Sequence, residues 1–205
     1  QARALSPLAY GVQFPVPLAT MNYGIILGQR DTDFIAGTLP YKEENPTGDW
    51  TAYLPLGEWQ RIDNVDLMAC VTFSALNVIE TLYYFKTGIR RNFSDRFTAK
   101  MSGTTSQGNY LYLVADSIRK DGLVDETDWP VPDDTTWDSY YQEIPQLIKD
   151  KAKKFLDSWT IQYEFIDVTR ESLLYHLKQS PIQVVIPGHA VMNFYTSESI
   201  YKFFD

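Results

Sequence analysis

The only cysteine of the chain stands at the first position of a segment with a strong helical period. From Cys70 to Phe85, apolar side chains recur at intervals of three and four residues, which is typical of one buried stripe of an α-helix. Gly88 follows the last apolar position and suits a helix C-terminus. The pattern therefore predicts a long helix with Cys70 at its N-terminus.

A lone cysteine narrows the possible chemistry. Because the 205 residues include one cysteine, the chain can form neither an intrachain disulfide nor a cysteine-based metal cluster. Such a residue is either a small buried hydrophobe, which is the commoner outcome, or a reactive thiol. A helix N-terminus and a nearby imidazolium both favour the thiolate form of a cysteine. The histidines therefore decide between the two interpretations.

The sequence contains two histidines in different settings. His176 lies inside the predicted helix from Arg170 to Lys178, where a packed or surface imidazole is the ordinary outcome. His189 follows the apolar strand predicted at Ile182–Ile186 and a glycine, so it can project from a strand edge into a cleft. Taken alone, His189 could also satisfy only a local hydrogen bond.

The remaining elements indicate the fold class. Apolar periodicity predicts helices over Tyr110–Lys120 and Tyr140–Trp159, and alternating apolar residues predict a strand from Ile161 to Val168. Residues 1–38 contain several Pro and Gly and predict an extended N-terminal arm, with one strand at Tyr23–Leu27. Helices precede strands along the chain, which predicts an α+β protein with a mainly helical half and a mainly β half.

Composition excludes several classes of partner. With 44% hydrophobic and 15% aromatic residues, the chain can bury a core as one globular unit or two small lobes. A net charge of -8 disfavours nucleic acid and anionic membranes as partners. No run approaches the roughly 20 apolar residues of a membrane span, so a soluble protein is expected. We find no intact signal peptide, and a leader removed earlier stays open.

The segment that begins at Cys70 resembles the central helix of papain-like cysteine peptidases. The family's Cys-Trp-Ala-Phe-Ser-Ala is matched at Cys70, Phe73, Ser74 and Ala75, and its glutamate ten residues after the cysteine is matched by Glu80. The similarity runs from about residue 39 to the end. It implies a papain-like domain over 39–205, in which a helical lobe (about 60–135) carries the nucleophile and a β-rich lobe (about 160–205) carries a histidine. A domain truncated at its C-terminus stays open.

The resemblance also implies the catalytic residues. Cys70 takes the place of the nucleophile, and His189, in a Gly-His-Ala-Val sequence that matches the family's His-Ala-Val, takes the place of the general base. Asp205, sixteen residues after His189, stands where the family has the asparagine that holds the imidazole, although it could equally be a frayed polar terminus. Asn64 stands where the family has its glutamine oxyanion donor.

Three further positions are implied as substrate contacts. Gly108 and Asn109 match the cleft wall that a substrate backbone approaches, and Ala190 would line the pocket for the residue before the scissile bond. The resemblance implies a peptide or protein substrate without a metal or other cofactor, and the oligomeric state stays open.

The departures from the family suggest a divergent member and leave other functions open. Val71 replaces the tryptophan after the nucleophile, and the family's disulfide cysteines are missing. These differences favour a microbial or viral relative, in a reducing compartment or a virion rather than a lysosome. Beside peptide hydrolysis, an inactive papain-like module with a structural or binding role and a cysteine-dependent amidase or transferase stay open.

Overall fold

The structure is a computed structural model that describes residues 25, 42–62 and 64–205. The predicted arm at 1–38 and its strand at Tyr23–Leu27 lie outside the described residues, apart from Ile25. Helices dominate the first part of the described chain and strands the last part. After a short 3-10 helix (Thr51–Tyr53), the elements are β1 (Arg61–Ile62), β2 (Val65–Asp66), α1 (Cys70–Thr87), α2 (Asp95–Met101), α3 (Leu111–Asp121), α4 (Trp137–Tyr140), α5 (Gln146–Phe155), α6 (Arg170–His176), β3 (Ile182–Ile186), β4 (His189–Thr196) and β5 (Tyr201–Phe204).

The predicted helix at Cys70 is confirmed. It runs over 18 residues and ends at Gly88, which adopts a left-handed conformation (φ 70°) and donates its backbone N–H to the carbonyl of Tyr84. Glycine adopts this conformation without a Cβ clash, so it ends the helix at low cost. The buried stripe of α1, including Val71 and Leu76, packs into the main core.

Two predicted elements are wrong. Of the helix predicted over Tyr140–Trp159, only Gln146–Phe155 is helical (α5), and the separate short helix α4 ends at Tyr140. Pro145 precedes α5 because it has no N–H to donate and disfavours a helical conformation in the preceding residue. The segment from Ile161 to Val168 forms no strand and has only an isolated bridge at Phe165. Its apolar residues pack into the core instead, with Ile161 against the cluster around α1 and Ile166 against α6.

An antiparallel sheet with the order β3-β4-β5 follows the helices. Pro187 and Gly188 form the two-residue turn between β3 and β4, with Gly188 at φ 73°. Side chains alternate along β4, so Met192 and Phe194 pack in one cluster with residues of α1 while Val191 packs against α6. The first residue of β4, His189, therefore lies at the edge of a sheet that packs against the nucleophile helix.

The described residues form an α+β, two-lobed fold, as the sequence predicts. Residues near the start of the described chain pack against its last part. Trp50 is fully buried and donates its indole N–H to the carbonyl of Leu177, directly after α6, at 2.7 Å. Within the part of the chain that the structure describes, no helix combines the length and apolar character that crossing a membrane requires.

Candidate active site

Cys70 is the first residue of α1 and is almost completely buried, with 1% of its surface exposed. The carbonyl of Ala69 accepts the first two backbone bonds of the helix, from Thr72 (2.8 Å) and Phe73 (3.1 Å). No side chain caps this helix end. The thiol thus lies at the positive end of the dipole of an 18-residue helix.

His189 pairs with Asp205 through its Nε2 atom. The distance from Nε2 to Oδ1 of Asp205 is 2.6 Å, and the imidazole side chain is 14% exposed against 70% for the carboxylate. Antiparallel pairing makes this contact possible, because Met192 lies opposite Phe204 and the end of β5 returns to the start of β4.

The electrostatics of His189 link it to both partners. Burial alone lowers the pKa of His189, but hydrogen bonds and charge interactions with Asp205 and Cys70 outweigh burial and raise it to about 9. The structure therefore brings Cys70, His189 and Asp205 together. Because Nε2 contacts Asp205, Nδ1 is the ring nitrogen through which His189 can share a proton with the thiol.

Gln183 on β3 joins the first turn of α1 to the sheet. Its Nε2 donates to the carbonyl of Val71 at 2.8 Å and to the hydroxyl of Ser74 at 2.7 Å. The Ser74 hydroxyl in turn donates to the carbonyl of Cys70 at 2.7 Å. This chain of bonds fixes the helix end that carries Cys70 against the hairpin that carries His189.

Ala190 lies in one core cluster with Cys70 and with Ile25. Ile25 is 7% exposed, and its backbone forms a parallel β-bridge with Asn109. An apolar cavity of about 530 Å³ adjoins this cluster, because Leu111 and Val185 both line the cavity and pack against the cluster. The backbone of Asn109, in the predicted substrate wall, therefore already pairs with Ile25.

Comparison with solved structures identifies the architecture. The chain is similar to the digestive procathepsin L 3 of Tenebrio molitor larval midgut, with a TM-score of 0.56 and 13% identity over 91% of this chain and 66% of the other. It is also similar to a structure from a study of the mite allergens Blo t 1 and Der p 1, with a TM-score of 0.51 and 16% identity over 83% of this chain and 63% of the other. The chain thus spans less than two thirds of either structure. It has the papain-like fold. Neither a family model nor a curated protein matches the chain.

In this papain-like fold, Asn64 lies at the turn of the β1–β2 hairpin, where Ile62 pairs with Val65. Its side chain is exposed, and no hydrogen bond among the described residues joins it to Cys70 or His189. Its role as an oxyanion donor stays a prediction.

Gly108 and Asn109 have defined structural roles. Gly108 (φ 95°) closes a turn in which its N–H and carbonyl both bond Thr105, at 2.8 and 3.1 Å. The amide of Asn109 is buried and donates to the carbonyl and hydroxyl of Ser102 and to the hydroxyl of Thr104. Any contact of Asn109 with a substrate therefore involves its backbone, as the bridge to Ile25 does.

A group of buried carboxyl groups packs behind the nucleophile helix. Burial, the largest cause, raises the pKa of Glu80 to about 8 and that of Glu126 to about 7, and it raises the pKa of Asp95 strongly. Neighbouring carboxylates, Glu58 among them, add to each increase. Glu80 also accepts the backbone N–H of Phe93 at 2.7 Å, so its carboxyl links α1 to the segment before α2.

Sequence reasoning did not identify Gln183 as part of this site. Gln183 is the single polar residue of the otherwise apolar strand β3 (IQVVI). This interruption of the apolar pattern is the signal that could have identified it. Among the described residues, no group of His, Cys, Asp or Glu is arranged to hold a metal ion.

Proposed function

We propose that this chain is a papain-like cysteine peptidase that hydrolyses peptide bonds through an acyl-enzyme. The observation that carries the proposal is the linked set of Cys70, His189 and Asp205, in which an imidazole bonded to a carboxylate adjoins a thiol at a helix N-terminus. Nucleophile, base and orienting acceptor in this order are the components of nucleophilic acyl transfer.

The proposed reaction balances with water as the only co-reactant. The Cys70 thiolate attacks the carbonyl carbon, and the C–N bond breaks as the His189 imidazolium gives its proton to the leaving amine. Neutral His189 then takes a proton from water, whose oxygen attacks the thioester and releases the carboxylic acid and the thiolate. Asp205 accepts the Nε2–H and holds the imidazole. The backbone N–H of Cys70 and the Asn64 amide are the proposed donors to the oxyanion.

The pairing of Ile25 with Asn109 supports a peptide as the substrate. Ile25 lies beside the proposed nucleophile, with its backbone in a β-bridge and its apolar side chain in a cluster with Cys70 and Ala190. An edge that binds one extended backbone can bind another. This observation favours peptide hydrolysis over amidase activity on small amides.

The test is labelling with an epoxide thiol inhibitor, followed by cleavage of a peptide library. Because Cys70 is the only cysteine, every labelled thiol in this protein is Cys70. Cys70→Ala should abolish labelling and cleavage, and His189→Ala should lower both by about 1,000-fold or more. His176→Ala is the matched control, since the other histidine lies at the end of α6 and contacts Tyr175 and Gln179.

Three outcomes are distinguishable. Fast labelling at neutral pH with peptide cleavage supports the peptidase. Fast labelling without cleavage of any library member, but with turnover of small amides or acyl transfer to amines, would replace it by an amidase or transferase. Labelling no faster than that of an unfolded thiol would overturn the proposal and indicate an inactive papain-like module.

A further inference from the structure

The loop that leads into Cys70 contains an unusual backbone conformation. Met68 has a φ of 51°, and among the described residues it is the one non-glycine residue with a positive φ. An L-residue with a Cβ and a long side chain rarely adopts this left-handed conformation, because the Cβ crowds the backbone. A residue held in such a conformation requires surrounding bonds that fix it.

Those bonds hold the peptide group between Leu67 and Met68. Oδ1 of Asp66 accepts a hydrogen bond from the backbone N–H of Met68 at 2.9 Å. The same oxygen accepts a second hydrogen bond, from Nε2 of Gln60, also at 2.9 Å. The carbonyl of Leu67 accepts the hydroxyl of Tyr141 at 2.5 Å. Burial raises the pKa of Tyr141, so this hydroxyl stays a donor throughout the neutral range.

The conformation of Met68 determines where the nucleophile lies. Ala69, the next residue, is fully buried and its carbonyl accepts the first two bonds of α1. A change of Met68 to a right-handed or extended conformation would redirect Ala69 and the Cys70 backbone that follows it. Proton transfer between Cys70 and His189 requires close alignment of the thiol and the imidazole. A displacement of Cys70 by about 1 Å would therefore have a large effect on the rate of the proposed reaction.

We propose that Asp66 is a positioning residue, which holds Met68 in its left-handed conformation and thereby aligns Cys70 with His189. Asp66 acts through the backbone of the entry loop, and the proposal assigns it no contact with substrate. This inference rests on the proposed function, because alignment matters for rate only if Cys70 is the nucleophile.

The test compares four variants by kcat, KM, the rate of Cys70 alkylation by iodoacetamide across pH, and thermal unfolding. Asp66→Ala removes the acceptor, and we expect kcat and the alkylation rate at neutral pH to fall by about 10- to 100-fold with KM nearly unchanged. Asp66→Asn retains Oδ1 and should stay within about threefold of wild type. Met68→Gly should be near wild type, because glycine adopts a positive φ freely. The double variant Asp66→Ala/Met68→Gly should recover most of the lost rate.

A matched control is Asp49→Ala, which removes an aspartate that accepts a backbone N–H two residues later in the same way, from Thr51 at 2.9 Å. It should leave kcat unchanged. A folded Asp66→Ala protein with wild-type kcat would overturn the inference, as would a double variant that recovers no rate. If Asp66→Ala does not fold, a double variant that folds with near wild-type kcat supports the inference, and a double variant that also fails to fold overturns it. A wild-type protein that cleaves nothing refutes the proposed function instead, and the alkylation series still tests Asp66.

Discussion

The Nε2 atom of His189 lies 2.6 Å from Oδ1 of Asp205, although the two residues are sixteen positions apart. The antiparallel pairing of β4 and β5 brings them together, since it places the end of β5 beside the start of β4. The Asp205 side chain is 70% exposed, whereas the His189 imidazole is largely buried. A solvent-exposed carboxylate therefore orients the buried proposed base.

Removal of this acceptor should change both the rate and its pH dependence. We expect Asp205→Ala to lower kcat/KM by roughly 100-fold, because the imidazole loses its orientation and the partner of its cation. Asp205 raises the pKa of His189, whereas burial lowers it. The loss of Asp205 should therefore move the alkaline limb of the kcat/KM profile from near pH 9 to lower pH.

Asp205→Asn separates the two effects. The amide oxygen can still accept the Nε2–H, so the rate should fall less than in Asp205→Ala, but without the negative charge the alkaline limb should still move down. Asp157→Asn, an exposed aspartate beyond α5, is the control and should change neither quantity. An unchanged alkaline limb in both Asp205 variants would contradict the assignment of the pair.

The bonds of Gln183 predict a combined loss of stability and rate. Gln183→Ala removes two part-buried hydrogen bonds, to the Val71 carbonyl and to the Ser74 hydroxyl, and together they contribute about 1 to 3 kcal/mol to the free energy of unfolding. We expect a melting temperature lower by several degrees and a lower kcat, measured by calorimetry and steady-state kinetics. Gln146→Ala, on an exposed helix start, should change neither. Gln183→Ala with wild-type kcat would show that this junction does not align the site.

Local sequence patterns were sufficient to predict the helices and strands whose signals lie within one stretch of sequence. The period of α1, the glycine that ends it and the apolar run of β3 all lie within one stretch of sequence, and the structure confirms these elements. The segment at 161–168 alternates like a strand, but its apolar residues pack against α1 and α6 instead of pairing in a sheet. Tertiary packing thus overrode a local preference.

The candidate site shows the same division. Cys70 and His189 were predicted because each lies within a short motif that resembles a family. The polar residues that hold them could not be predicted, since Gln183 and Tyr141 acquire their roles only when distant elements meet, and Asp66 acquires its role from the left-handed backbone of Met68. Tyr141, for example, reaches the carbonyl of Leu67 across 74 positions of sequence.

The buried carboxyl groups predict that stability falls as the pH rises. The pKa of Glu80 is raised from 4.5 to about 8, so its stabilising contribution is complete below about pH 4.5 and is lost as the pH rises through 8. Thermal unfolding between pH 5 and 9 should show this decline. Glu80→Gln, which is always neutral and can still accept the Phe93 N–H, should melt several degrees above wild type at pH 9 and close to it at pH 5.

Burial also raises the pKa of Glu126 to about 7 and that of Asp95 well above its usual value, so Glu80→Gln should reduce the slope without abolishing it. Glu143→Gln changes an exposed glutamate and should leave the slope intact. Identical slopes for wild type and Glu80→Gln would contradict a protonated Glu80 in the native state.

The bridge between Ile25 and Asn109 predicts that the chain competes with its own substrate. Ile25 packs in the cluster of Cys70 and Ala190, beside the edge that the proposed function assigns to substrate. Ile25→Asp should expel this side chain, because an unpaired carboxylate in an apolar cluster is unfavourable. We expect KM for a short peptide to fall by about 10-fold and Cys70 labelling to accelerate by a similar factor, with kcat at saturation unchanged, since a tethered competitor lowers only the fraction of open sites. Ile89→Asp, at a 58% exposed isoleucine after α1, is the matched control and should change neither. If Ile25→Asp remains folded and KM and labelling equal those of wild type, Ile25 does not obstruct the site, and the Asn109 edge binds substrate elsewhere along its length.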